Sequence, residues 1–362
     1  MRAIARDPEA KKIAVMRRLI LDWYDRHRRN LPWRETSDPY AIWISEIMLQ
    51  QTRVAAVVDR YRAFLEHFPT VVSLAQAREE DVLTLWSGLG YYRRARMLHK
   101  AAQEVTARLD GRLPSTAEQL RALPGIGKYT SAAIASIAHG ECVAVIDGNV
   151  ERVLCRLAGF DGSGEANSAL RNQMEALAGQ LLDPMRPGDF NQAMMELGAT
   201  TCAPRNPQCV ICPLAPHCKT RGEHKTPPRK PMRNAAIAHA LVVRTKRRKT
   251  GQSHEILLDR RPDDLTVMPG LWELPALNSA TVPESELRMT VRHSIMQVNY
   301  SVRLRNIAEK ELDQLAAARG DRRWIPLTAA DAMPLTGLAR KVLVRTRLLG
   351  VKAHASTSTG RC

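Results

Sequence analysis

Two carboxylates and four thiols are the residues most able to do chemistry in this chain. Glu46 is the only charge in the run YAIWISEIML, residues 40–49. A carboxylate set among Ile42, Trp43, Ile47 and Met48 is expected to lose solvent, which favours its protonated form. A carboxylic acid still protonated near neutral pH can act as a general acid. The competing expectation is a glutamate paired with an arginine or turned to water. Asp147 is a single carboxylate ahead of Gly148 and Asn149, where a new amphipathic run opens. Cys202, Cys209, Cys212 and Cys218 follow the spacing C-x6-C-x2-C-x5-C. Four thiolates on one short loop-rich segment ask for a metal centre, zinc or an iron–sulfur cluster, and spacing alone does not choose between them. The N-terminus does not read as a secretory signal, which argues against disulfides.

The elements that must position these groups follow from local patterns. Asp38 and Pro39 read as N-cap and first residue of the helix that carries Glu46. Ser115 and Glu118 read as a capping box for a helix with Leu120 and Leu123 on one face. Then come Pro124, Gly125, Ile126 and Gly127, and a second helix from Tyr129 to about Ala138. Such a helix–turn–helix aims unpaired N–H groups and the positive end of the second helix at one spot, a site for a phosphate oxygen. A packed helical hairpin with a glycine turn is the alternative. Residues 9–29 form an amphipathic helix, and helices are expected over 150–158, 166–182 and 189–198. At residues 85–94, glycines, Tyr91, Tyr92, Arg93 and Arg94 on a turn suit a wedge into stacked bases with phosphate clamps; two core tyrosines are the plainer option. Cys142 and Cys155 read as small core residues.

Composition sets the frame. The chain of 362 residues carries a formal net charge of +17, which points to a polyanionic partner. No run is long enough to cross a membrane. Residues from Thr226 onward hold 24 Lys and Arg against 12 Asp and Glu. The densest group is Arg244, Lys246, Arg247, Arg248 and Lys249, as readily a solvated hairpin tip as a DNA contact. A proline-rich linker at 226–234 precedes a region of different grammar. Strands are expected at 238–243 and 255–258, joined by the basic hairpin, then a helix near Glu284 and strands at 297–304 and 324–325: a smaller α+β domain.

These motifs carry a family resemblance. LPGIGKYTSAAI resembles the helix-hairpin-helix of the endonuclease III superfamily of DNA glycosylases, and IDGNVERVL resembles the segment with that superfamily's catalytic aspartate. With WISEIMLQQTRV, GLGYYRRARML, the cysteine loop and MPGLWELP, six motifs stand in the order seen in MutY-type adenine DNA glycosylases. The likeness covers nearly the whole chain. It implies a multi-domain protein, mainly α at residues 1–225: a six-helix barrel at about 33–150, and a cluster module from 1–32 with 151–225 whose loop is 202–218. After the linker it implies a Nudix-like α+β domain at 235–350 and a tail at 351–362. The implied activity is hydrolysis of the N-glycosidic bond of adenine opposite 8-oxoguanine or guanine in double-stranded DNA. The implied setting is a cytoplasmic, nucleoid-associated monomer away from membranes.

The resemblance also assigns roles. Glu46 matches the glutamate that protonates adenine at N7, and Asp147 the aspartate that stabilises the positive sugar. Tyr129 and Asn149 match residues that position this pair. Gln51 and Tyr91 match residues that intrude into the duplex, while Gly125, Gly127 and Lys128 fall in the phosphate-binding hairpin. The four cysteines match a [4Fe–4S] loop. One acid and one carboxylate suffice for a reaction through an oxocarbenium-like sugar once the base is flipped out. Endonuclease III has a nucleophilic lysine where Tyr129 stands, and Lys128 is one place off, about 100° around a helix. A monofunctional enzyme is therefore expected. Thymine-mismatch glycosylases share the tyrosine but as a group lack the Glu46 equivalent.

Two departures stand out. The segment after Pro275 has only Glu284 and Glu286, no Nudix glutamate box, so no pyrophosphatase activity is expected. Many family members read 8-oxoguanine with Phe-Ser-His; aligned on His293, this chain places Ile295, Met296 and Gln297 there. Met296 cannot donate a hydrogen bond as a serine can. Ser294 is the other candidate for that contact.

Overall fold

The computed structural model describes residues 8–160, 168–223, 231–248, 251–280, 282–295, 297–316 and 321–350. Lys249, Met296, residues 226–230 of the linker and the tail at 351–362 with Cys362 lie outside the described residues. The chain forms two compact units, Met1–Ala77 with Met97–Arg229, and Arg78–Arg96 with Lys230–Cys362.

The helical part runs α1 (Pro8–His27), α2 (Pro39–Leu49), α3 (Val54–His67), α4 (Val71–Gln76), α5 (Glu79–Leu85), α6 (Arg93–Arg108), α7 (Ala117–Arg121), α8 (Lys128–His139), α9 (Gly148–Ala158), α10 (Ser168–Leu181) and α11 (Pro187–Thr200). In the first unit, α1, α9, α10 and α11 share a core built on Ile20, Trp23, Tyr24, Leu154, Phe190 and Leu197. Cys202, Cys212 and Cys218 pack at the margin of that core. Asp38 caps α2 by accepting from the Tyr40 N–H at 3.0 Å. Every residue from Tyr40 to Met48 is buried, because α2 is apolar around its whole circumference. It packs on α8, which packs in turn on α7 and α11.

The start of α7 differs from the expected Ser115–Glu118 box. Thr116 is the N-cap and accepts from the Gln119 N–H at 3.3 Å. The first helical N–H, that of Ala117, is taken by the distant Glu141, which accepts from it at 2.6 Å. Cys155 is buried as expected, whereas Cys142 is exposed, just past the end of α8.

The second unit is α+β. Its strands are β1 (Arg233–Leu241), β2 (Val243–Arg248), β3 (Gly251–Arg260), β4 (Trp272–Glu273), β5 (Leu287–Ile295), β6 (Val298–Asn306) and β7 (Arg322–Pro326). One sheet has the order β1-β6-β5, with β1 parallel to β6 and β5 antiparallel to it. In the other, β3 pairs antiparallel with β2, β4 and β7. The basic hairpin joins β2 to β3, so the expected strand at 238–243 divides between β1 and β2. The helix expected near Glu284 is a single 3-10 turn, Glu284–Glu286. Helices α12 (Glu309–Leu315), α13 (Leu327–Ala330) and α14 (Gly337–Arg345) complete the unit. Leu338, Ala339, Val342 and Leu343 of α14 fill the core beside Val291, Val302 and Leu304.

Candidate active site and cysteine centre

Glu46 lies on the buried run of α2 and is 5% exposed. Burial pushes its carboxyl up to about 7, and the nearby Asp147 charge pushes the same way. The Tyr129 hydroxyl and Arg34 pull it down. Tyr129 sits in the first turn of α8 and donates to Glu46 Oε2 at 2.6 Å. Its oxygen is also 3.3 Å from Met195 Sδ on α11. Burial and the neighbouring Glu46 raise the Tyr129 phenol well above its ordinary range, so it stays a neutral donor.

Asp147 is the N-cap of α9. Its Oδ1 accepts from the Asn149 N–H at 2.9 Å and the Val150 N–H at 2.7 Å. Its Oδ2 accepts from Asn149 Nδ2 at 2.9 Å. Three donors at the positive end of a helix therefore fix this carboxylate. Asn149 is fixed in turn by Arg152, whose Nη2 donates to Asn149 Oδ1 at 2.9 Å and to the Gly198 carbonyl at 2.7 Å. Arg152 Nε donates to the Cys202 carbonyl at 2.8 Å. One guanidinium thus joins the Asp147 cap, α11 and the first residue of the cysteine loop. The close approach needs Gly198: a Cβ there would fall 2.6 Å from Asn149 Cβ.

Helix α11 braces the rest. Asn191 donates to Ser136 Oγ and to the Val143 carbonyl, both at 2.9 Å, and accepts from the Val145 N–H at 3.0 Å. That clamps the segment leading to Asp147. Glu196, 1% exposed, binds Arg29 through Nε and Nη2, both at 2.7 Å, and Arg34 through Nη2 at 2.8 Å. These bonds hold its carboxyl at about 2 despite burial. The supporting residues Arg34, Asn191, Met195 and Glu196 had no motif to announce them, and Arg152 lay in IDGNVERVL with no role read for it. The one readable signal was Glu196 as an isolated charge in the run FNQAMMELGA.

The hairpin between α7 and α8 buries Ile126 and exposes Gly125, Gly127 and Lys128. Gly125 has φ of +75°, and a Cβ there would fall 2.6 Å from Met97 Cβ. Gly127 is the N-cap of α8 and gives it no side-chain cap. The Lys128 ammonium lies 2.6 Å from Glu175 Oε1. Gln51 is exposed at φ +55°, next to Gln50, whose Nε2 donates to Thr130 Oγ1 at 3.2 Å. Tyr91 and Ser294 belong to the second unit. Tyr91 is 52% exposed, while Tyr92 is buried, so the paired tyrosines divide between surface and core. Ser294 is exposed near the end of β5 and donates to Asn299 Oδ1 at 2.7 Å.

Cys202, Cys209, Cys212 and Cys218 line one small cavity together with Arg156. The buried Arg156 points Nη1 at Cys202 Sγ, 3.3 Å away, and at the Ala203 carbonyl, 2.8 Å away. Burial and the other three thiols push Cys212 up to about 11. Four thiolates this close need a cationic partner to ionise, so the donor set fits a metal centre. Among the described residues no group of His, Cys, Asp or Glu is closed up as a single-ion site. The loop is stitched to the end of α9 by the Lys219 and Thr220 N–H groups, which donate to the Leu157 and Arg156 carbonyls.

The fold and this pairing of a buried acid with a helix-capping aspartate define a class. Residues 44–179 match the HhH-GPD superfamily of base excision DNA repair proteins. A solved thermostable thymine-DNA glycosylase superposes with a TM-score of 0.55 at 32% identity, over 59% of this chain and 99% of that one. Among sequences, an adenine DNA glycosylase of Homo sapiens is 40% identical over 291 residues, 78% of this chain and 52% of that one. One of Schizosaccharomyces pombe is 32% identical over 326 residues, 74% of this chain and 70% of that one. The chain belongs to the adenine DNA glycosylase family. It spans about half the length of several of the curated relatives it matches.

Proposed function

We propose that this protein hydrolyses the N-glycosidic bond of adenine mispaired with 8-oxoguanine or guanine in duplex DNA, as a step of base excision repair. The observation that carries this reading is a buried Glu46 held by Tyr129 at 2.6 Å, with its carboxyl raised to about 7, beside a fixed Asp147. The adenine leaves the stack and enters the site. Glu46 in its acid form donates a proton to N7, which makes the base a better leaving group. The C1′–N9 bond breaks and leaves an oxocarbenium-like sugar, which the Asp147 carboxylate faces. The Glu46 carboxylate then takes a proton from the water that adds to C1′. The leaving electron pair stays on the base, so no oxidant or reductant enters. Tyr129 stands where a Schiff-base lysine would be needed, which supports a glycosylase with at most weak strand-cutting activity.

Backbone N–H groups of the Gly125–Gly127 turn and the open end of α8 would take a phosphate of the DNA. The four cysteines would hold a [4Fe–4S] cluster, which would tie the loop together for contact with the DNA rather than supply hydrolytic chemistry. The second unit is read as a Nudix-like domain that senses the base opposite adenine, with Ser294 or the β5–β6 turn in contact with it. The setting is the cytoplasm, on nucleoid DNA. A thymine-specific reading draws on the thymine-DNA glycosylase likeness, but thymine has no N7 for Glu46 to protonate.

The test is a pair of variants, Glu46→Gln and Asp147→Asn, in single-turnover excision and in duplex binding. Loss of excision with binding kept supports the assignment. Normal excision by either variant contradicts it.

A further inference from the structure

The loop that carries Tyr91 is held by its own side chains and by α14 with the segment that leads into it. Residues 86–92 include Gly88 at φ +92°, Gly90 at +70° and Tyr91 itself at +48°. Positive φ is unfavourable for a tyrosine, so surrounding contacts must impose it. Inside the loop, Trp86 Nε1 donates to the Gly90 carbonyl at 3.1 Å. Arg94 Nη2 donates to the Leu89 and Gly90 carbonyls, both at 3.2 Å. The Arg94 guanidinium also lies 5.7 Å from the Tyr91 ring centroid and 5.4 Å from that of Trp86.

The remaining anchors come from residues 332–340 of the same unit. Arg340 Nε on α14 donates to Ser87 Oγ at 3.0 Å, while its Nη1 holds Asp331 Oδ1. The buried Tyr92 hydroxyl donates to the Leu335 carbonyl at 3.0 Å, just before the Thr336 cap of α14. Thr84 Oγ1 donates to the Ala332 carbonyl at 3.1 Å. The next residue of α14, Lys341, turns to the other side of the helix and donates to the Arg292 carbonyl of β5 at 2.7 Å. A Cβ at Gly337 would lie 3.6 Å from His293 Cε1, so the first turn of α14 abuts that ring. Ser294 is the following residue of β5.

We propose that Arg340 is a positioning residue for Tyr91, and that α14 links the strand bearing His293 and Ser294 to the loop bearing Tyr91. A change at the end of β5 on meeting the base opposite adenine then reaches the intruding tyrosine through one rigid, core-packed helix. This rests on the reading in which Tyr91 enters the duplex. Arg340 touches no reacting atom, and it acts by holding Ser87, four residues before Tyr91.

The experiment uses the full protein and a duplex with non-hydrolysable 2′-fluoro-adenosine opposite 8-oxoguanine and 2-aminopurine beside the lesion. Fluorescence at saturating protein reports unstacking by Tyr91, and titration gives affinity. Y91A should abolish the unstacking signal. R340M should reduce that signal and weaken binding about fivefold, the scale of one ordinary lost hydrogen bond. The double variant should bind within about twofold of Y91A, because the two residues act through one loop. Y92F, which removes a single hydroxyl, should lower the signal in the same direction and decides the matter where R340M misfolds. Full unstacking by R340M or Y92F, or losses that simply add in the double variant, overturns the proposal. An unchanged signal in Y91A alone overturns the intruding-tyrosine reading itself, and the proposal with it.

Discussion

Replacing Tyr129 by Phe should move the alkaline limit of the reaction upward. In the proposed reaction Glu46 works as the acid, and its carboxyl stands at about 7. The wild-type rate should therefore fall as pH rises through about 7. The Tyr129 hydroxyl stabilises the carboxylate form through a 2.6 Å bond, which lowers the value that burial alone would set. Removing that donor disfavours the carboxylate, so Glu46 keeps its proton to higher pH. A hydrogen bond to a charged group contributes about 1.5–3 kcal/mol, and one pH unit corresponds to about 1.4 kcal/mol. The alkaline limb should rise by roughly one to two units, though the plateau rate falls because Glu46 is less well aimed. Single-turnover adenine release with excess Tyr129→Phe protein, followed from about pH 5.5 to 9.5, measures both. A limb that stays put or moves down would refute the reasoning. Stability carries the same sign. Folded Glu46 titrates above the unfolded value of 4.5, so its ionisation takes nothing from stability below that value and progressively more as pH climbs through about 7. Glu46→Gln should accordingly stabilise the fold by about 3 kcal/mol above neutrality and by little at acid pH.

Other perturbations test the frame. Glu196→Ala leaves Arg29 and Arg34 without their carboxylate and should cost about 3–5 kcal/mol in denaturant unfolding at pH 7. Glu196 titrates near 2, below its unfolded value, so the stability it provides is present above pH 4.5 and is lost as pH falls toward 2. Gly198→Ala places a methyl 2.6 Å from Asn149 Cβ, and α9 and α11 must part. It should lose about 1–3 kcal/mol of stability, with excision falling more than duplex binding as the Asp147 cap shifts. Cys209→Ser should remove the visible absorbance and iron of the purified protein and weaken duplex binding; full iron content with unchanged binding would contradict a four-cysteine ligand set.

Much of the catalytic half is legible in residue types because each cue is local. Asp38 with Pro39, the lone Glu46 in an apolar run, and the glycines of the hairpin all act within one or two helical turns. The supports are less legible because their partners are distant. Glu141 caps α7 from beyond α8, Arg34 meets Glu196 across 162 residues, and Arg152 reaches the Cys202 carbonyl across 50. The second unit is harder still. In β5, Leu287, Met289, Val291, His293 and Ile295 alternate with residues turned outward, a period of two interrupted by a histidine and flanked by arginines. Helix α14 starts at Gly337, a weak helix former, and is specified by the Thr336 cap and the core it fills. Residues 78–96 fall in the second unit, where Thr84 and Tyr92 donate to the Ala332 and Leu335 carbonyls, Ser87 accepts from Arg340 and Arg96 donates to the Pro269 carbonyl, pairings that no periodicity announces.

The central claim is that this site removes adenine. The direct measurement is chromatographic identification of the base released from three duplexes, with adenine opposite 8-oxoguanine, adenine opposite guanine, and thymine opposite guanine, each split with and without alkali. Free adenine from the first two, no thymine from the third, and strand breaks only after alkali are the predicted result. Release of thymine, or duplex binding with no base released from any of the three, would contradict it.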